Sequence, residues 1–184
     1  MFERCKKENR AALVLYVTGG FPKPEFTGRI LEILAKNGCD LIEFGVPFSD
    51  PIADGPTIQK ASTKALEAGM TFPKGVEILK QFRKKSEVPT ILFGSINPFI
   101  RKGLEESVEL AAEAQCDGFL AADLPTEESD EFRSICQKKN LHLIPLLSPT
   151  TSNERVKLIG EKVSGFLYCM STKGITGARK EMDA

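Results

Sequence analysis

The sequence predicts an α/β protein built on a parallel sheet. Three observations predict it. Short apolar runs alternate with longer amphipathic runs along the chain, at roughly one pair per 25–30 residues. The helical runs carry their own start and stop signals. The length, 184 residues, with 41% hydrophobic and 27% charged residues, suits one globular domain spanning 1–184.

The elements follow in order. Residues 12–18 (ALVLYVT) are β-rich and end at Gly19-Gly20. Phe26, Ile30, Ile33 and Leu34 then fall at helical spacing, up to a stop at Asn37-Gly38. Residues 40–44 (DLIEF) read as the next strand, followed by a long Pro/Gly/Asp loop. Helices are expected over about 57–68 and 74–84. Residues 89–93 (PTILF) form a strand, and Leu104, Val108, Ala111 and Ala112 mark a helix stripe. Residues 118–122 are a strand, and Phe132, Ile135 and Cys136 mark a helix. Residues 141–146 are a strand, and Thr151-x-x-Glu154 reads as a capping box opening a helix with Val156 and Ile159 inward. Residues 165–168 are a sixth strand, and the tail beyond Cys169 is polar and glycine-containing.

Six strands alternating with helices admit two architectures: an open doubly wound sheet or a (β/α)₈ barrel. The pattern alone does not choose. No G-x-G-x-x-G follows the first strand, which weakens the dinucleotide form of the open sheet. No G-x-x-x-x-G-K-[ST] loop is present either.

Composition excludes several functions. Lys+Arg and Asp+Glu are both 25, so the basic excess of a nucleic-acid binder is missing. No apolar run reaches the ~18 residues of a membrane span. The first ten residues are polar and unlike a signal peptide, so the cytoplasm is the expected compartment. The five cysteines are scattered without C-x-x-C, which argues against a disulfide framework and a zinc site. Cys39, Cys116 and Cys136 read as buried free thiols. The single histidine, His142, reads as an ordinary strand residue.

In either architecture ligands bind at the carboxyl ends of the strands. The loop after the second strand is the richest there. Glu43 lies between Ile42 and Phe44 in an apolar strand, so alternation places it on the opposite face from both. A carboxylate inside a sheet protein is costly unless paired or protonated, and burial raises its pKa into the range of a general acid–base. The bland alternative is a glutamate paired with a buried Lys or Arg. Asp54 sits in a loop stiffened by Pro51 and Pro56. It could hold a second carboxylate over the strand end, or simply serve as a helix N-cap or Asx-turn residue. Asp50 has the same bland reading.

The segment Glu43-Phe44-Gly45-Val46-Pro47-Phe48-Ser49-Asp50-Pro51, with 53–59 (ADGPTIQ), resembles the signature of the tryptophan synthase α-subunit family. Tyr16-Val17-Thr18, Asn97-Pro98, Asp123-Leu124-Pro125 and the stretch from Gly165 through Tyr168 to Gly177 extend the resemblance over essentially the whole chain. It implies a TIM (β/α)₈ barrel, here incomplete, with about six of the eight βα units. It implies a lyase that cleaves indole-3-glycerol phosphate to indole and glyceraldehyde 3-phosphate in tryptophan biosynthesis. By resemblance Glu43 is the proton shuttle, Asp54 the carboxylate that stabilises the indole cation, and Tyr168 an orienting aromatic. Tyr16, Thr18, Ile58, Leu120, Asp123, Thr176 and Gly177 match substrate-binding positions. Pro47 and Asp50 face a β subunit in an α2β2 complex. Pyridoxal phosphate belongs to that partner; this chain is expected to need no cofactor and no metal.

Two departures accompany the resemblance. The sequence stops inside the sixth loop, before the seventh and eighth units that usually build the phosphate site of such barrels, so activity of this chain by itself is in question. The family often has aromatic residues just before its Asn-Pro, where this chain has Phe93-Gly94-Ser95-Ile96, and this alters a pocket wall. A catalytically weak subunit that binds and activates the β subunit is therefore the alternative expectation.

Overall fold

Alternation in the strands sorts the chain's apolar side chains into two separate groups, and this decides between the two architectures. In a computed structural model, which describes residues 1–52 and 54–171, strands β1 (Val14–Thr18), β2 (Leu41–Gly45), β3 (Thr90–Gly94), β4 (Gly118–Ala121) and β5 (His142–Leu143) form one parallel sheet in sequence order. β6 (Leu146–Leu147) and β7 (Tyr168–Cys169) pair in parallel beside it. The helices are α1 (Phe2–Lys7), α2 (Pro24–Lys36), α3 (Pro56–Glu67), α4 (Phe72–Arg83), α5 (Asn97–Lys102), α6 (Leu104–Glu113), α7 (Asp130–Lys138) and α8 (Asn153–Glu161).

Ile42 and Phe44 of β2, Leu92 of β3 and Phe119 of β4 pack outward with Leu31, Val76, Leu79 and Phe82 of the helices. Leu41, Ile91, Leu120 and Ile144 form a second cluster on the other face, joined by Val14, Phe93, Leu146 and Tyr168 from neighbouring strands. Among the described residues α2–α8 contribute nothing to the second cluster, which gathers strand side chains with Ala122, Phe166 and, at the N-terminus, Met1. That is the curvature of a barrel, not of an open sheet covered on both sides.

The expected fifth strand, 141–146, appears as two short pieces, because it changes partner midway. The Ile144 N–H still donates to the Phe119 carbonyl at 2.8 Å, whereas the Pro145 carbonyl accepts the Tyr168 N–H at 3.0 Å. Proline has no N–H to continue the first ladder. The last strand begins at Tyr168, later than expected, after Gly165 turns the chain at a φ of +79°. The capping box at Thr151 does not form. Ser152 caps α8 by accepting the Arg155 N–H at 3.4 Å, and the Thr151 hydroxyl instead accepts the Ser148 N–H at 3.0 Å. Ile159 is inward as expected, but Val156 is exposed. Two short helices, α1 and α5, lie where the pattern was too brief to show periodicity. Cys39, Cys116 and Cys136 are buried free thiols, and His142 is an exposed strand residue.

The strand registers are pinned from below by side chains. A Cys-Asp pair precedes both β2 and β4. The Asp40 N–H donates to the Leu13 carbonyl at 2.8 Å, and its carboxylate accepts the Leu13 N–H at 2.9 Å. Asp117 repeats this with Thr90, donating at 2.8 Å and accepting at 2.8 Å. Asp40 also takes Arg10 at 2.6 and 2.9 Å and Arg4 at 2.6 Å, which ties α1 to the foot of the sheet. These partners, Arg10 first, hold its carboxyl well below the usual carboxylate range. A lowered folded pKa means the stabilisation is present above the unfolded value near 3.8 and is lost as pH falls below it. Asp40→Asn is therefore expected to lower the urea midpoint at pH 7 and to flatten the fall in stability below about pH 4, as read by urea unfolding at several pH values.

Candidate active site

β2 is buried along its whole length, and it carries one charged residue. Glu43 points to the barrel interior, since it alternates with Ile42 and Phe44, which face the helices. It is 6% exposed. Among the described residues no Lys or Arg forms an ion pair with it; the surface pairs lie elsewhere. Among the described residues, then, the bland alternative of a Lys or Arg compensating a buried glutamate finds no partner. Burial alone pushes its carboxyl up to about 7.

The register places Tyr16 of β1 directly beside Glu43. The ring needs the space left by Gly45, where a Cβ would collide with the Tyr16 ring and hydroxyl. Burial is the main cause that raises the Tyr16 hydroxyl to about 12, with the charges of Asp54 and Glu43 adding to it. Tyr168, half-buried on β7, is also raised, first by burial and then by Glu43. Phe93 stands between the two tyrosines. Its ring meets Tyr16 edge-on at 5.7 Å and Tyr168 at 5.9 Å. Aromatic pairs in such geometry hold one another's orientation, so the three rings frame the space above Glu43.

Asp54 reaches this space from the loop after β2. Its N–H donates to the Pro51 carbonyl at 3.2 Å, closing a tight turn. Gly55, not Asp54, occupies the N-cap of α3, and no side chain caps that helix. The Asp54 carboxylate is therefore not spent as a helix cap. It is half-buried, and burial raises its pKa. Asp54 and Tyr16 line one cleft together with Val46, Phe48, Pro51 and Phe93, and with Gly94, Ser95 and Ala122.

The remaining sequence-derived positions divide. Thr18 is buried at the end of β1, and Leu120 is fully buried in the same layer as Gly45 and Phe93. Ile58 lies half-buried in the first turn of α3, outside the cleft lining. Asp123 is half-buried after β4, with its carboxylate accepting the Ile96 N–H at 2.7 Å. Pro47 is buried, whereas Asp50 is exposed and accepts the Ser49 hydroxyl at 2.5 Å. Thr176 and Gly177 lie outside the described residues. Sequence reasoning gave Phe93 only as part of a pocket wall implied by the resemblance, and did not single out Val46 and Phe48 as cleft residues. For Phe93 a signal existed: it is two residues beyond Ile91, hence on the same interior face.

The Glu43 environment sets a pH dependence. Its folded pKa is raised above the unfolded value near 4.5, so its contribution is fully present below 4.5 and is lost as pH rises through about 7. Glu43→Gln keeps the shape without the charge. It is expected to flatten stability between pH 4.5 and 7 and to be more stable than the parent at pH 8 by about 1–3 kcal/mol, at ~1.4 kcal/mol per pK unit. Urea unfolding at pH 5 and pH 8 checks both.

Comparison with known proteins bears on this geometry. The sequence model of the family "Tryptophan synthase alpha chain" matches residues 2–184. The tryptophan synthase alpha chain of Geotalea daltonii is 45% identical over 181 residues, covering 98% of this chain and 69% of its own. The crystal structure of tryptophan synthase subunit alpha from Legionella pneumophila superposes with a TM-score of 0.88 at 40% identity, covering 91% of this chain and 64% of that one. A chain of the tryptophan synthase complex from Pyrococcus furiosus superposes with a TM-score of 0.82 at 36% identity, covering 86% and 66%. This chain thus spans about two thirds of the length of these relatives. With Asp54 and Tyr16 lining one cleft, Glu43 beside Tyr16 in the strand register, and the match running from residue 2 onward, the chain belongs to the tryptophan synthase alpha chain family.

Proposed function

We propose that this chain acts as the α subunit of a tryptophan synthase, cleaving indole-3-glycerol phosphate to indole and glyceraldehyde 3-phosphate in a retro-aldol reaction. The observation that carries this reading is Glu43: a buried carboxyl without an ion-pair partner among the described residues, pushed up to about 7, and paired in register with Tyr16, which lines the cleft.

The chemistry uses one carboxyl group twice. Protonated Glu43 gives its proton to C3 of the indole, which makes the ring an electron sink. The resulting carboxylate takes the proton from the glycerol hydroxyl beside the bond to be broken. The C3 side-chain bond then cleaves, its electron pair returns to the indole ring, and the hydroxyl carbon leaves as an aldehyde. Protons and electrons balance without a cofactor on this chain. A pKa near the working pH suits a group that must donate and accept in one cycle. Asp54, carried on the half-open loop after β2, supplies the second carboxylate that faces the positive charge developing on the indole nitrogen. Tyr16, Phe93 and Tyr168 hold the ring in place and keep water from Glu43.

The same reading assigns Thr18 and Leu120 to the cleft floor and Ile58 to its rim. It gives Thr176 to closure over Asp54, and Gly177 to a backbone N–H on the substrate phosphate. The exposed stretch around Asp50, with Ile52 76% exposed, supports a docking face for a β subunit in an α2β2 assembly. Pyridoxal phosphate would be held by that partner.

Indole release from indole-3-glycerol phosphate, with and without added β subunit, tests the proposal. Glu43→Gln is expected to lower kcat by about a thousandfold or more while binding of the β subunit persists. Turnover by Glu43→Gln at the parent rate overturns the assignment. A parent chain that activates the β subunit yet cleaves nothing is instead a regulatory subunit.

A further inference from the structure

β3 and β4 run in parallel register until Gly94 pairs with Ala121, and there the two strands splay. The Gly94 carbonyl still accepts the Ala122 N–H at 2.9 Å. One step further, a continued ladder would offer the Ile96 N–H a backbone carbonyl. The chain instead turns into α5 on one side and into the Leu124 turn on the other, and the acceptor is the Asp123 side chain, at 2.7 Å from the Ile96 nitrogen. The foot of the same strand pair shows the matching device, with the Asp117 carboxylate on the Thr90 N–H. Asp123 is thus a side-chain rung at the top of the ladder. Its position matters because Gly94 and Ser95 on one strand's exit, and Ala122 on the other's, line the cleft.

We propose that Asp123 is a positioning residue: it acts as a hydrogen-bond acceptor that locks the β3–α5 exit to the β4 exit, and so sets the cleft wall against which the substrate ring is held. Its carboxylate does not need to touch substrate. Charge is dispensable in this role, and the acceptor oxygen is not. The assignment deepens the reading of the cleft as an indole-3-glycerol phosphate site and rests on it for its kinetic consequence only.

The test compares Asp123→Asn, which keeps a carbonyl acceptor, with Asp123→Ala, which removes it. The first readout is amide hydrogen exchange followed by NMR. Asp123→Ala is expected to speed exchange at Ile96 about tenfold or more, while Leu92 and Phe119 in the strand centres stay protected. Asp123→Asn is expected to restore protection at Ile96. The second readout is indole release: Asp123→Ala raises KM for indole-3-glycerol phosphate about tenfold with a much smaller change in kcat, and Asp123→Asn raises KM several-fold less than Asp123→Ala does. Unchanged exchange at Ile96 in Asp123→Ala overturns the proposal. A KM raised as far by Asp123→Asn as by Asp123→Ala also overturns it, because that is the mark of a charge contacting substrate. Should Asp123→Ala not fold, Asp123→Asn alone still separates acceptor from charge. A parent chain that releases no indole defeats the reading of the cleft, while the exchange result at Ile96 continues to decide the role of Asp123.

Discussion

The structure depends on the burial of β2 on both faces. Five consecutive residues are enclosed, and alternation sends Ile42 and Phe44 to the helices and Leu41, Glu43 and Gly45 to the interior. The outward pair secures the strand in the larger core, where each fully buried large side chain contributes about 1.5–3 kcal/mol. That anchoring leaves Glu43 no route to water by shifting the strand: a slip of one residue would turn the whole apolar set to the wrong face. The cost of enclosing a carboxyl group is met by keeping it protonated up to near neutral pH. The acid that the chemistry calls for is thus a consequence of packing on the opposite side of the same strand.

Small residues and acidic residues do complementary work around it. Gly45 leaves the space that the Tyr16 ring fills, and Gly19 and Gly75 do the same for Phe44 on the outer face. Aspartates appear where strands begin and end. Asp40 and Asp117 each combine a backbone bond with a carboxylate bond to the neighbouring strand, below β2 and β4. A carboxylate can accept from an N–H that the diverging backbone can no longer reach, so these side chains extend the ladders past their geometric limit. Asp40 carries two arginines as well, one on α1 and one just beyond it, and this makes the N-terminal helix part of the barrel's floor.

The cleft above Glu43 combines two kinds of surface. Tyr16, Phe93 and Tyr168 form a rigid aromatic frame whose members meet edge-on. The loop after β2 is polar, short of regular structure and stiffened by Pro51 and Pro56. A flat apolar ring with one polar edge fits such a site: its faces meet aromatic side chains, and its N–H meets a carboxylate. The two carboxyl groups differ because one is enclosed by strands and the other is carried on a loop that stays half-open.

Much of this was legible in the residues themselves. The alternation of strands and helices, the placement of Glu43 on the face opposite Ile42 and Phe44, and the enclosed thiols all follow from periodicity, which records one face at a time. The resemblance at 43–59 named the carboxylate pair. Other features depended on long-range contacts that no local pattern records. Only the fold showed that the second sheet face gathers its side chains without α2–α8, that the fifth strand changes partner at Pro145, and that Ser152 rather than Thr151 caps α8. Only the fold freed Asp54 from the helix cap, by placing Gly55 there. The sequence by itself determined which residues alternate and which carry charge. The tertiary structure decided which charges meet a partner, because pairing depends on distances between segments far apart in the chain: Asp40 finds two arginines, Asp123 finds a backbone N–H, and Glu43, among the described residues, finds aromatic walls.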